Sequence, residues 1–369
     1  MATKAVMEGF VINSKAFISD EGKYLSIKLS YEGILLKFRK KSIIAELILW
    51  MLDHESVDYP ENITIRELRE LISLRLIIPN RFSLCVEQGV TSEARSYSDF
   101  NITNFESISL GMVIIGSAVD YAQVGDRTSF VGPKEIRRYL RNSIQDAGNV
   151  AWFTSDSLVT YGLRVAYCMY LCHLKNSFPI VLGGDHSITK FCFQEVVNNC
   201  NSSIGLIHFD AHNDFGDTES ESNLDNLMHS NVIAHISQMD CEFIAQIGLR
   251  KNQIISVNKP SSCPVYQLQD SESSRFSKYV GNIIQKHPKV PVYLSVDIDC
   301  LDPEIADEVA APLKGGINGE QLVDMVRNIF ERFNVVGMDI VEVCNSNSGV
   351  NNAAKIAARI IEAIDERFH

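Results

Sequence analysis

SIGLIHFDAHND, residues 203–214, is the stretch on which the reading of the fold turns. Ile204, Leu206, Ile207 and Phe209 form one short, nearly continuous apolar run, the pattern of a strand buried on both faces. The run stops in Asp210, His212 and Asp214. Alternate residues of an extended segment point the same way, so these three side chains can face one point just past the strand.

Two other runs end in the same manner. FPIVL leads into GGDHS (183–187), which sets His186 beyond its strand, and VPVYL leads into SVDIDCLDP (295–303), with Asp297 and Asp299 at alternate spacing. SISLGMVIIG, EFIAQIGLR and NVVGMDIVEV are further apolar runs, and GPKEIRRYLRN, LVTYGLRVAYCMYLCHL and NGEQLVDMVRNIFERF between them have helical spacing. This alternation predicts an α/β domain from about residue 107, built on a parallel sheet with helices over both faces. In such sheets sites form at the carboxyl ends of the strands, where His186, Asp210, His212, Asp214, Asp297 and Asp299 fall.

Four carboxylates and two imidazoles make a hard donor set that suits Mn²⁺ and leaves Ni²⁺, Fe²⁺ and Zn²⁺ open. Four aspartates carry about −4, which two divalent ions would cancel, and without ions they would repel one another. Two ions ~3.5–4 Å apart can share a bridging water and lower its pKa toward hydroxide near neutral pH. The competing reading makes each Asp a turn or helix-cap residue. It weakens when three motifs end three strands in the same way.

Ahead of this domain, residues 1–90 have a different texture, with the change falling near 85–106. FVINSKAFISD, KYLSIKLS and GILLKFRK read as short strands, KKSIIAELILWMLDH as a helix, and IRELRELISLRLI as a second helix entered through Thr64 and Glu67 in capping-box register. The order predicts a small α+β module of winged-helix type.

Composition sets outer bounds. At 46% hydrophobic and 22% charged residues the chain is neither wholly disordered nor collagen-like. The formal charge of −12 argues against a broad phosphate-binding surface, so no nucleic-acid partner is expected, and Lys37–Lys41 reads as a solvated helix start. No run approaches the ~18–20 apolar residues of a membrane span, and the N-terminus lacks the apolar core of a signal peptide. Nine cysteines without CxxC pairs suit a reducing cytoplasm, with Cys168 and Cys172 read as buried thiols rather than soft-metal ligands.

GGDHS, DAHND (210–214), SVDIDCLDP and GMDIVEV (337–343), in that order, together with the segment from IGSAVD to FVGPKEIRRYL (115–140), resemble the ureohydrolases, the family of arginase, agmatinase and formimidoylglutamase. The resemblance covers about 107–369. It implies a three-layer α/β/α domain with a central parallel sheet and a binuclear manganese centre held by His186, Asp210, His212, Asp214, Asp297 and Asp299. It further implies that Glu342, in DIVEV, pairs with a substrate guanidinium, and that His229, in LMHSNV, protonates the leaving amine, so Asp210, His229 and Glu342 are the expected catalytic residues. Family members are commonly oligomers, which makes a homo-oligomer the expectation.

Two loops depart from the free-arginine pattern. Gly216 stands where arginases have an Asn, and Ala310 and Ala311 replace a Gly-Thr pair. Asp217, Glu219 and Glu221 make the first loop acidic, which disfavours a free carboxylate. The module at 1–90 is also similar to the winged-helix elements by which peptide-modifying enzymes bind a leader peptide as an added strand. It could equally mediate dimerisation or shield the domain. Together these features lead us to expect conversion of arginine to ornithine in an arginine-containing precursor peptide. A small guanidino compound (agmatine, a guanidino acid or free arginine) is the alternative, and a non-catalytic metal-containing binding protein the second one.

Overall fold

Apolar runs bounded by turn residues form the strands in both parts of the chain, which divides into two compact units, Met1–Val90 and Thr91–His369. The computed structural model describes residues 10–12, 16–29, 35–52, 60, 63–64, 67–68, 71 and 76–79. From 108 to 368 it describes all but 122–127, 142, 151, 153–155, 201, 217–223, 255–262, 270–272, 347 and 366.

In the first unit β1 is Phe10–Ile12, β2 Ala16–Asp20, β3 Tyr24–Leu29, β4 Leu35–Arg39, α1 Ile43–Leu52 and β5 Ile77–Pro79. The strands β2, β3 and β4 form an antiparallel sheet, and Leu25 and Ile27 alternate into its buried face. Helix α1 buries Ala45, Leu47, Ile48 and Trp50. The expected single strand FVINSKAFISD is instead two strands in different sheets, because β1 pairs antiparallel with β5. The capping box is present: Thr64 N–H donates to Glu67 Oε2 at 2.7 Å and Glu67 N–H to Thr64 Oγ1 at 3.3 Å. Most of the helix behind it, like the texture change at 85–106, lies outside the described residues. Its expected last residue, Ile77, begins β5.

The second unit is built on eight parallel strands, β6 Met112–Ser117, β7 Gln145–Asn149, β8 Phe178–Gly183, β9 Ile204–Phe209, β10 Cys241–Ile247, β11 Val265–Leu268, β12 Val292–Asp297 and β13 Val335–Val341. They lie in the order β11-β10-β9-β12-β13-β8-β6-β7. Helices α2 Gly132–Arg137, α3 Leu158–Leu174, α4 Thr189–Cys200, α5 Val232–Ser237, α6 Ser273–Lys286, α7 Gly319–Arg332 and α8 Asn352–Asp365 cover the sheet. Strand alternation assigns the layers. Ile180, Leu182, Ile207, Phe209, Leu294 and Val296 pack with Ile136, Phe276, Leu322 and Ile356 from α2, α6, α7 and α8. The alternate residues face the other way, as where Tyr293 meets Phe193 of α4 edge to face. The expected three-layer α/β/α arrangement is the observed one. All six apolar runs are strands; β7 and β11, at the two edges of the sheet, are additional to them.

Candidate metal centre

β9, β12, β13 and β8 are consecutive neighbours in the middle of the sheet and run parallel, so their carboxyl ends share one edge. Each strand continues into a tight turn at that edge. After β8 the chain passes close to its neighbour, where any Cβ on Gly184 would overlap the Val119 carbonyl, and the turn His186–Ile188 follows. Asp214 and Glu342 hold positive φ values of 50° and 64°, a conformation costly for non-glycine residues that concentrates at functional sites.

These turns bring together all six expected ligands in two groups. In the first, His186 Nδ1 lies 2.9 Å from Asp214 Oδ2, 3.3 Å from Asp297 Oδ2 and 3.4 Å from Asp210 Oδ2. In the second, His212 Nδ1 lies 2.8 Å from Asp299 Oδ2 and 3.5 Å from Asp210 Oδ1. Asp210 therefore offers one oxygen to each group. Two donors each about 2.1 Å from one ion and at right angles stand about 3 Å apart, so both groups have the spacing of a ligand shell. His186 Nδ1 and Asp210 Oδ2 are buried and make no hydrogen bond among the described residues, despite their closeness. Buried polar atoms without hydrogen bonds are uncommon. Here they converge on a common point, as ligand lone pairs do. The residues fit a pair of divalent ions.

The surroundings fix the ligands. Ser295 Oγ donates to Asp339 Oδ1 at 2.6 Å, so in the 3.1 Å contact His186 Nε2 donates to Ser295 Oγ, which turns Nδ1 toward the aspartates. Tyr293 OH donates to the other oxygen of Asp339 at 2.9 Å. Asp299 N–H donates to Asp297 Oδ1 at 2.9 Å, and His212 N–H to Asp210 Oδ1 at 2.6 Å.

Charges at the centre act strongly because they are buried. Burial opposes the charged form of His186, but Asp210, Asp214 and Asp297 hold its pKa well above the ordinary range. His212, likewise opposed by burial, is pushed up to about 12 by Asp210 and Asp299. Burial and the charges of Asp299 and Asp210 raise Asp297; burial and Asp210 raise Asp299. Burial also acts to raise Asp210, yet His208, His186 and His212 bring it well below the usual carboxylate range. Divalent cations would relieve the same repulsion.

Glu342 stands beside this cluster. Its Oε1 accepts the His186 N–H at 2.8 Å, and its own N–H donates to Gly184 O at 2.9 Å. Burial, then the charge of Asp185, pushes its carboxyl well above the ordinary value. The short turn His229–Asn231 packs against the turn His186–Ile188, and His229 Nδ1 is buried without a hydrogen bond among the described residues. The sequence reading passed over His208. Its Nε2 lies 2.9 Å from Asp210 Oδ2 and its Nδ1 3.1 Å from Gln246 Nε2. His208 precedes Asp210 by two residues, but inside an apolar run that spacing does not set a functional histidine apart from a packed one. Cys168 and Cys172 are buried and join neither group. Asp217, Glu219 and Glu221 lie outside the described residues.

The fold and this cluster define an α/β/α protein whose carboxylate-rich His/Asp cluster, at the carboxyl edge of a parallel sheet, fits a binuclear metal centre. A family model for the arginase family matches residues 110–364. Agmatinase of Blochmanniella floridana is 30% identical over 252 residues, 63% of this chain and 79% of that protein. A mitochondrial guanidino acid hydrolase of Homo sapiens is 29% identical over 187 residues, 50% of this chain and 53% of that protein, so the match spans about half the length of this relative. Among solved structures, a hypothetical agmatinase from Burkholderia thailandensis superposes with a TM-score of 0.59 at 22% identity, over 75% of this chain and 89% of that one. An arginase from Bacillus subtilis gives 0.58 at 21% identity, over 69% and 98%. The chain belongs to the arginase family, whose members are metal-dependent hydrolases of guanidino and amidino C–N bonds.

Proposed function

We propose that this chain hydrolyses a small guanidino compound to urea and an amine. The observation that carries the reading is the sharing of Asp210 between two donor groups, with the Glu342 carboxylate one hydrogen bond from His186. His186, Asp210, Asp214 and Asp297 would hold one ion, and His212, Asp210 and Asp299 the other. Mn²⁺ suits this oxygen-rich set. Two such ions supply a water activated as a nucleophile near neutral pH.

The chain's own residues do the rest. Glu342 pairs with the guanidinium and fixes its plane against the centre, since a planar cation and a carboxylate can meet through two parallel bonds. An arriving cation also restores the ionised carboxylate that burial opposes. Water adds to the guanidinium carbon, the bond to the alkylated nitrogen breaks, and His229 delivers a proton to that nitrogen. Urea and the amine leave.

The relatives bear the names of small-molecule enzymes, agmatinase, guanidino acid hydrolase and guanidinobutyrase. This favours a small guanidino compound over the precursor peptide expected from the sequence. Peptidyl arginine stays as a second reading because Gly216, Ala310 and Ala311 bring no polar side chain to meet free α-amino and α-carboxylate groups. No described helix is long and apolar enough to cross a membrane. A reducing, cytoplasmic setting is proposed from the nine cysteines, which form no CxxC pair. We further propose a homo-oligomer.

The test is urea release from the Mn²⁺-loaded protein offered agmatine, 4-guanidinobutanoate, free arginine and an arginine-containing peptide. Turnover of the first or second supports the proposal. Turnover of the peptide alone, with ornithine formed, replaces it by the second reading, and no urea from any of them defeats both.

A further inference from the structure

We propose that Arg250 is a positioning residue that holds the His212–Asp299 half of the metal centre and the loop Glu308–Gly316 as one unit. Arg250 follows β10 and is buried, yet among the described residues the hydrogen bonds of its side chain go to main-chain carbonyls. Nη2 reaches the carbonyls of three consecutive residues, Asp299 at 3.3 Å, Cys300 at 3.2 Å and Leu301 at 3.0 Å. Nε and Nη2 both donate to Leu313 O, at 3.1 and 2.9 Å, and Nη1 donates to Gly248 O at 2.6 Å. The main chain of Arg250 acts in the same direction. Its N–H donates to Ala211 O at 3.0 Å, and Ala211 sits between Asp210 and His212. Ala211 N–H in turn donates to Asp299 Oδ1 at 3.0 Å.

One residue thus grips both peptide segments that carry the second donor group. Asp299 is held at its carbonyl by Arg250, at its N–H by Asp297 and at Oδ1 by Ala211. None of these Arg250 bonds goes to His186, Asp214 or Asp297. The guanidinium spends its hydrogen bonds on carbonyls and so does not compete with cations for the carboxylates. Leu313 extends the strut into the loop where Ala310 and Ala311 replace the polar pair of free-arginine enzymes. Asp302 holds the far end of that loop, accepting Gly315 N–H at 2.9 Å and Gly316 N–H at 3.0 Å. A planar fork with five donors can span these acceptors, whereas a lysine ammonium cannot.

The inference rests on the two-ion reading, and the experiment separates the two. The metal-stripped full chain is titrated with Mn²⁺ while free Mn²⁺ is followed by electron paramagnetic resonance. Wild type taking up fewer than two ions overturns the two-ion reading and Arg250's role with it. If wild type binds two, Arg250→Lys must weaken one ion by about 10–100-fold, the usual effect of losing an outer partner of a ligand. The other ion must stay within about twofold and KM must rise with the loosened loop, since a merely structural role would lower thermal stability without separating the ions. Equal weakening of both ions, or of neither, refutes the proposal. Should Arg250→Lys fail to fold, wild type still decides. Mn²⁺ must slow hydrogen exchange in residues 309–316, and an exchange rate indifferent to Mn²⁺ rules the coupling out.

Discussion

Asp210 gives a carboxylate oxygen to each donor group, so its loss reaches both at once. Asp210→Asn keeps the shape and removes the charge. We expect it to lose both ions and to lower urea release by about three orders of magnitude, the several kcal/mol that metal polarisation contributes. Metal content measured on the same sample decides: full turnover with the ions gone defeats the binuclear mechanism. Glu342→Gln tests the substrate side of the same centre. A charge-assisted hydrogen bond contributes ~1.5–3 kcal/mol, so kcat/KM should fall about 10–100-fold while Mn²⁺ uptake stays unchanged. An unaltered kcat/KM would take the guanidinium contact away from Glu342. Asp210 stood out in the sequence because three apolar runs end alike in Asp and His, and Glu342 through the resemblance of its DIVEV motif to the ureohydrolases. His208 and Arg250 did not. A histidine within a strand and an arginine after one carry no signal until their partners Gln246, Ala211 and Leu313 are in place.

Element by element, legibility followed burial. The six strands read from apolar runs lie in the interior of the sheet, covered on both faces, where hydrophobic pattern and position cannot diverge. β7, QDAGN, and β11, VYQL, lie at its edges and lack such a run. In the first unit the reading joined β1 to β2, since pairing with β5 depends on a strand some 65 residues away that no local pattern announces. Helix α3 was legible from end to end, and it carries a consequence for pH. His173 stands in its last turn, where the helix dipole favours a protonated ring by ~0.3–1 kcal/mol. Burial opposes the charge more strongly and takes its pKa down to about 4. The unfolded chain therefore binds this proton below pH ~6.5 while the folded one does not until about 4, so stability is complete above 6.5 and declines as pH falls through that window. The loss is up to about 3 kcal/mol. His173→Gln should flatten the dependence of Tm on pH between 6.5 and 4, and an unchanged slope would locate the acid sensitivity elsewhere.

At the scale of the whole molecule, the proposed ligands come from the ends of three central strands, so bound ions would tie the sheet together at that edge. Ligands that bind only the folded state stabilise it by RT ln(1 + [L]/Kd), about 2.7 kcal/mol per site at a hundredfold excess over Kd. Chelation should accordingly lower the Tm of the second unit by several degrees, with the shift growing with the logarithm of the Mn²⁺ it reverses. A Tm indifferent to Mn²⁺ would mean that the cluster is no metal centre. The first unit gives no described ligand to that centre, which makes it the natural variable for substrate choice. If the substrate is a small guanidino compound, deleting residues 1–90 should leave kcat/KM for agmatine or 4-guanidinobutanoate within about twofold, because every residue proposed to act on the guanidinium lies after Gly183. If the substrate is a precursor peptide, the same deletion should spare a short arginine peptide and depress turnover of the full precursor, since only the latter needs a second point of attachment. Mass spectrometry of the precursor, read for the loss of about 42 Da that accompanies each arginine hydrolysed to ornithine, compares the two on one sample. A deletion that lowers every rate alike, with Mn²⁺ uptake intact, would show instead that the first unit supports the fold of the second and selects no substrate.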